Sequence, residues 1–294
     1  MRLDNKKVSI GVIGKGFVGT AVAHGFSHQT GYGAEIRIYD IDPEKAVNSL
    51  EETVNNSDFI FLSVPTPADK DGFNDLSIVR KALKDIESVS KNPDNIILVR
   101  STVVPGTTKE LQEDFPSLRL VFNPEFLTER SASFDFINQT RVILGGDKKY
   151  TNKVKYLYKH RFGDFLPVLE TNYETAEMIK YMNNLFFATK VSFLNEMKLL
   201  SDKVGVDWSD AIEGFILDGR IGHSHLAVPG PDGKLGFGGS CFPKDIQALI
   251  KFGEENDVDM NVLKGAWKTN LFVRPEKDWE KLKGRAVSKS SSDE

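Results

Sequence analysis

Residues 8–19 read VSIGVIGKGFVG. A β-branched run, 8–13, passes into Gly14-Lys-Gly16-Phe17-Val18-Gly19, and residues 17–27 carry a helical pattern. The strand before and the helix after turn an otherwise weak G-x-G-x-x-G match into a dinucleotide-binding signature. Gly14 permits a tight turn, Gly16 lets backbone approach a pyrophosphate, and Gly19 lets the helix pack close to the strand with its N-terminus facing the anion. Asp40 ends the second apolar run, 21 residues beyond Gly19. A carboxylate there accepts hydrogen bonds from ribose hydroxyls and repels a 2′-phosphate, so the expected cofactor is NAD rather than NADP.

Outward from this unit, short apolar runs recur at 36–39, 59–64, 96–100, 118–122 and 141–144, with helical patterns at 75–88 and 106–114 between them. Most are continuous rather than alternating, as strands buried on both faces of a parallel sheet are. The expected architecture is α/β: a Rossmann-type doubly wound parallel sheet followed by an all-α domain built on one long helix. The rhythm stops after about residue 165, and a helical pattern runs from about 173 to 203. Its apolar residues (Ile179, Met182, Phe186, Phe193, Met197 and Leu200, with Met178, Tyr181, Leu185, Val191 and Leu194 beside them) cover much of its circumference. Such a helix is expected to be covered on more than one side, by a domain or a partner chain. Further helices are expected over 208–217 and 243–255, separated by a Gly/Pro-rich loop at 228–240. The expected division is 1–168 for the NAD-binding domain, 169–275 for a helical substrate and dimerisation domain, and 276–294 as a polar tail, frayed from Gly284 onward.

The chain has 294 residues, 40% hydrophobic and 27% charged, enough for two domains with sizeable cores. A formal net charge of -4 lacks the broad positive field that grips a phosphate backbone, so nucleic acid is not an expected partner. The one cysteine, Cys241, excludes an internal disulfide and a cysteine zinc cluster; no metal is expected, and the chain fits a reducing, cytoplasmic setting. No apolar run approaches the roughly 18 residues of a membrane span, and the N-terminal segment reads as a buried first strand rather than a signal peptide.

The densest chemistry lies in Gly236-Phe237-Gly238-Gly239-Ser-Cys241-Phe-Pro243-Lys244-Asp245. Pro243 suits the first position of a helix. Cys241 would then stand just ahead of a helix N-terminus with Lys244 within one turn, and both effects favour thiolate. Gly238 and Gly239 would expose backbone N–H groups to phosphate. Asp245 is a candidate base. Lys180 and Asn184, four residues apart, share one face of the long helix, where Lys donates to an oxyanion or exchanges protons and Asn supplies a neutral donor. Thr66, Thr102, Glu125 and Glu129 all follow predicted strands, and ligands gather at the carboxyl ends of strands in open α/β sheets.

GKGFVG (14–19), Asp40, VPTP (64–67), STVVPG (101–106), NPEFLTE (123–129), ETAEMIKYMNN (174–184), FLNE (193–196), DGRIG (218–222) and GFGGSCFPKD (236–245) together resemble the UDP-glucose/GDP-mannose dehydrogenase family, its UDP-glucose 6-dehydrogenase branch above all. The resemblance implies an NAD-dependent, four-electron oxidation of a sugar C6 alcohol, UDP-glucose to UDP-glucuronate first among the options. Two NAD molecules act in turn, and Cys241 carries the aldehyde as a thiohemiacetal and then a thioester that water hydrolyses. By the same resemblance Lys180 and Asn184 steady oxyanions, and Asp245, with Thr102 holding water, assists proton transfer. Glu125 and Glu129 line the site, the second near the nicotinamide. Cofactor contacts fall to Gly14, Gly16, Phe17, Val18, Gly19, Asp40, Thr66, Thr102, Glu129 and Lys244. Substrate contacts fall to Glu125, Phe126, Leu127, Lys180, Asn184, Phe237, Gly238, Gly239 and Cys241, with Arg220 reaching in from a partner subunit of a homodimer built on helix 173–203. Family members usually continue into a third, Rossmann-like domain, which nothing after about residue 275 resembles, and Thr128 stands where arginine is common. Two alternatives stay open: a two-electron NAD-dependent hydroxyacid dehydrogenase, and a non-catalytic nucleotide-sugar-binding homologue.

Overall fold

The structure is a computed structural model that describes residues 7–289. The elements run β1 Ser9–Ile13, α1 Phe17–Phe26, β2 Glu35–Tyr39, α2 Leu50–Asn55, β3 Phe59–Leu62, α3 Ser77–Val89, β4 Ile96–Val99, α4 Thr107–Asp114, β5 Leu120–Phe122, α5 Ala132–Ile137, β6 Val142–Gly145, α6 Lys148–Phe162, β7 Val168–Thr171, α7 Tyr173–Val204, α8 Trp208–Ile216, α9 Phe242–Glu255 and α10 Asn261–Val273. The chain divides into two compact units, one of residues 1–66 with 76–180, the other of 67–75 with 181–294.

The first unit is a seven-stranded sheet in the order β2-β1-β3-β4-β5-β6-β7. Side-chain alternation divides its core. Ile10 and Val12 of β1, Phe59 and Phe61 of β3 and Leu98 of β4 join one cluster with Ala21, Val22 and Phe26 of α1. Ile13, Ile60, Leu62 and Ile97 join the other, against Val79, Leu83 and Ile86 of α3. Both faces are covered, which is why these strands read as unbroken apolar runs.

The Rossmann-type sheet is as expected, with two departures. β5 and β6 pair antiparallel, through Phe122 and Gly145, so the sheet is mixed. β7 extends it beyond residue 165, parallel to β6 from Val142↔Val168 to Gly145↔Thr171. Its Leu169 and Glu170 point outward or to polar partners, so the segment lacks the apolar continuity that marked the other strands. The run 36–39 sits on the opposite edge as β2.

In the second unit, α7 continues from Tyr181 with Tyr181, Leu185, Ala188 and Leu194 buried. On its other side Met182, Phe186, Phe193, Met197, Leu200 and Val204 are exposed, Phe186 at 65%. α8 buries no residue, although Asp207 caps it by accepting from the N–H groups of Ser209 and Asp210. The segment after α10 is not a frayed tail as far as residue 289. Trp279 and Ala286 are 2% and 1% exposed, Trp279 packs on Trp267, and Ala68 exchanges backbone hydrogen bonds with Ala286 and Ser288. Two apolar anchors in an otherwise polar stretch outweigh its composition. The serine-rich end, 290–294, lies outside the described residues. Among the described residues no helix is long and apolar enough to cross a membrane.

Candidate active site

The glycine loop joins β1 to α1. A Cβ at position 19 would lie 2.0 Å from the Gly14 carbonyl oxygen and 3.0 Å from Val12 Cγ1, so only glycine allows α1 to sit this close to β1. At Gly16 a Cβ meets nothing within 4 Å, which leaves open space over the start of α1. No side chain caps α1, so the first-turn N–H groups of Phe17, Val18 and Gly19 face that space without a side-chain acceptor. Asp40, just past β2, accepts from the Lys15 N–H at 2.6 Å and the Asp42 N–H at 2.9 Å, one on each carboxylate oxygen. A carboxylate offers about four acceptor positions, so capacity for two ribose hydroxyls remains. These residues fit a dinucleotide.

Beside the loop, an open cleft of about 450 Å3 is lined by Phe17, Thr20 and residues 129–134. Glu129 thus shares a cleft with α1, whereas Glu125 turns into the unit's interior. Glu125 accepts from the Lys180 ammonium at 2.8 Å and from the Leu127 N–H at 2.6 Å, and Lys180 also donates to the Glu125 carbonyl at 2.5 Å. Lys180 is 3% exposed, its ammonium held inside the protein. Its ammonium lies 5.5 Å from the centre of the Phe126 ring, with the Arg141 guanidinium 4.2 Å from the same ring. Burial pushes the Glu125 carboxyl up, but Lys180, the Leu127 N–H and the charge of Arg100 outweigh it and hold the group below the usual carboxylate range.

Thr66 and Thr102 meet: the Thr66 hydroxyl donates to the Thr102 carbonyl at 2.7 Å, and the Ser101 hydroxyl donates to the Val64 carbonyl at 2.5 Å. The loops after β3 and β4 are therefore tied to each other, and Thr66 spends its one donor within the protein.

The second unit carries the other candidates. Cys241 is the N-cap of α9, with Phe242 as first helical residue and Pro243 second, one position later than the sequence suggested. The sulfur is half-buried, 3.8 Å from the Ser240 hydroxyl. One turn on, Asp245 is fully buried and accepts from Asn184 Nδ2 at 2.7 Å and from the Lys244 ammonium at 2.5 Å. The first backbone bond of α9, Asp245 N–H to Cys241 carbonyl at 3.0 Å, couples the two positions.

Three residues expected to contact substrate have these surroundings. The Phe237 ring is 5% exposed, stacked on Trp267 and edge-on to Phe242, so it serves the core. A Cβ at Gly238 would lie 2.5 Å from Arg274 Nη2, so that glycine makes room for a protein side chain; only Gly239 has open space. The Arg220 side chain is 90% exposed and folds back onto Asp218, with Nε 2.9 Å from Oδ1.

Sequence reasoning passed over two buried groups in the first unit. Arg100 and Tyr158 both donate to Asn123 Oδ1, at 2.6 Å each, while Asn123 Nδ2 donates to the Ile143 carbonyl, which fixes the start of the loop bearing Glu125. Glu177 accepts from the N–H groups of Gly106 at 2.6 Å and Thr108 at 2.7 Å, capping α4 from a distant helix. Its spacing of three from Lys180, on the same helical face, was the available signal.

Comparisons with known proteins identify the family. The UDP-glucose/GDP-mannose dehydrogenase family, NAD binding domain, matches residues 45–162, and the central domain of that family matches 174–271. The first match begins past the glycine loop, whose assignment rests on the contacts above. A UDP-glucose 6-dehydrogenase of Rickettsia prowazekii is 39% identical over 241 residues, covering 80% of this chain and 54% of its own length. A solved UDP-glucose dehydrogenase from the hyperthermophilic archaeon Pyrobaculum islandicum matches with a TM-score of 0.78 at 30% identity, over 92% of this chain and 70% of that one. A 3-hydroxyisobutyrate dehydrogenase of Mycobacterium tuberculosis, at 17% identity and a TM-score of 0.72 over 92% of this chain and 96% of that one, shares the fold alone. The chain spans between 30% and 54% of the length of the curated relatives it matches. By these matches and the glycine-loop geometry, the chain belongs to the UDP-glucose/GDP-mannose dehydrogenase family and carries its NAD-binding and central domains.

Proposed function

We propose that the protein is a nucleotide-sugar dehydrogenase that oxidises a sugar C6 alcohol to the carboxylate, with UDP-glucose as substrate and UDP-glucuronate as product. One observation carries the reading: the single, half-buried thiol stands at the N-cap of α9 with a buried, doubly hydrogen-bonded carboxylate one turn behind it. NAD, when bound, supplies the two-electron acceptor for both oxidations, so one alcohol, one water and two NAD+ yield one carboxylate, two NADH and three protons.

Gly14, Gly16 and Gly19 with the first turn of α1 would hold the pyrophosphate, and Asp40 the ribose. Lys180 and Asn184 donate to the substrate oxygen as charge develops there. Cys241 forms a C–S bond to the aldehyde carbon while the carbonyl oxygen takes up a proton, and keeps the carbon bound until it has reached thioester level. Water then attacks the thioester carbon. The C–S bond breaks, its electron pair returns to sulfur, and Asp245 takes the proton lost by the water.

The exposed stripe of α7, with the uncovered α8 beside it in sequence, supports a second copy of this chain as the partner. Sedimentation is expected to give a dimer that Phe186→Asp with Leu200→Asp dissociates; a monomeric parent protein at micromolar concentration would refute it.

NADH formation against a panel of nucleotide sugars tests the activity. The expected result is turnover with UDP-glucose and two NADH per sugar consumed. A two-electron dehydrogenase would give one, and a binding homologue none.

A further inference from the structure

The loop leading to Cys241 is gripped by three side chains that lie outside the reacting set. Asn195 of α7 accepts from the Gly236 N–H at 3.0 Å and anchors itself through Nδ2 to the Val191 carbonyl at 2.8 Å. Asn270 of α10 accepts from the Phe237 N–H at 2.7 Å and donates to the Phe237 carbonyl at 3.0 Å, so one amide closes both backbone bonds of a single residue. Arg274, one turn further along, reaches the Leu235 carbonyl at 3.3 Å and Asp232 at 2.6 Å, and is itself held by Asp278 at 2.7 Å. The three are 1%, 0% and 2% exposed. A chain of buried polar groups this fully paired is rigid, because releasing any member strands a desolvated donor or acceptor.

The glycines of this loop fit the grip. A Cβ at Gly236 would lie 2.4 Å from Asn270 Oδ1, at a φ of +67° that disfavours other residues in any case. Gly238 leaves room for Arg274 in the same way. Two residues, Gly239 and Ser240, separate Gly238 from Cys241, and Ser240 is buried, so little slack lies between grip and sulfur.

We propose that Asn270, with Asn195 and Arg274, is a positioning residue: it fixes residues 235–237 and thereby sets where Cys241 stands at the start of α9. The step it serves is capture of the aldehyde, so the inference rests on the proposed role of Cys241. A thiol displaced by about 1 Å loses on the order of 100-fold in rate. A slack loop therefore lets the aldehyde escape after the first oxidation.

The test compares the parent protein with Asn270→Asp, which keeps the acceptor and loses the donor, and Gly236→Ala, which pushes the loop off Asn270 and leaves the asparagine intact. In both variants NADH per sugar is expected to fall from two toward one. The kcat for the complete oxidation should fall at least about tenfold with the KM for UDP-glucose within about threefold. A merely structural lesion lowers the amount of active protein and leaves the stoichiometry at two. The second readout needs no turnover: alkylation of the single thiol by iodoacetamide at pH 7 should slow at least about fivefold, as the sulfur leaves the field of the helix N-terminus. Two NADH per sugar at parental kcat with unchanged alkylation in both variants overturns the inference. If near-UV circular dichroism finds Asn270→Asp unfolded, Gly236→Ala decides alone. A parent protein that makes one NADH or none defeats the nucleotide-sugar reading, and the alkylation rates then judge the positioning role by themselves.

Discussion

Replacing Cys241 by serine is expected to abolish carboxylate formation while leaving the fold unharmed. Serine is among the preferred N-cap residues, and Cys241 caps α9 without any side-chain bond to its first turn. The variant should therefore melt no lower than the parent, and any loss is chemical. A serine hydroxyl is scarcely ionised at pH 7, whereas even an unperturbed thiol is a few per cent thiolate. Addition to the aldehyde should slow at least about 1,000-fold, which corresponds to about 4 kcal/mol of barrier. NADH per sugar falls to one or below, and aldehyde becomes trappable by a hydrazine reagent. Undiminished four-electron turnover by Cys241→Ser would remove sulfur from the mechanism.

The second large effect concerns Glu177 and pH. This carboxylate is fully buried, and burial pushes its pKa up to about 7 from 4.5, against the pull of the Thr108 and Gly106 N–H groups and with a further push from the charge of Glu174. Glu174 is offset in part by Lys109, 3.8 Å away. An acid whose folded pKa exceeds its unfolded one binds more protons folded than unfolded, so its contribution to stability is fully present below about pH 4.5 and is lost as pH rises through 7. The displacement from 4.5 to about 7 corresponds to about 3 kcal/mol. Glu177→Gln cannot titrate. It also loses one of the two N–H acceptors, a cost independent of pH. The stability of the parent relative to Glu177→Gln, from urea unfolding, should fall by about 3 kcal/mol between pH 4.5 and 8 and stay level above that. A pH-independent difference would show that Glu177 titrates in the ordinary carboxylate range.

The same residue shows where legibility ended. The turn at Gly14–Gly19, the helix behind it and Asp40 were readable because each depends on neighbours within a few residues or on one strand repeat. Lys180 and Asn184 were readable as a pair by helical spacing. Glu177 lies on that same helix, yet its partners are the N–H groups at Gly106 and Thr108, 71 and 69 residues away, and nothing in the local pattern names them. The packing of the Phe237 ring was illegible for a related reason. It lies inside a motif rich in chemistry, but its aromatic bulk went to the core between Trp267 and Phe242.

Sequence alone determined the alternation of strand and helix, the dinucleotide loop, the long helix and the cysteine at a helix start, since short-range sterics and periodic burial dictate all four. Tertiary structure alone decided which polar groups share a partner. Glu125 finds Lys180 across 55 residues, Asn184 finds Asp245 across 61, and Asn270 finds Phe237 across 33. A buried donor or acceptor must be satisfied by whatever the packed chain brings within about 3 Å, and that proximity is a property of the whole fold rather than of any segment.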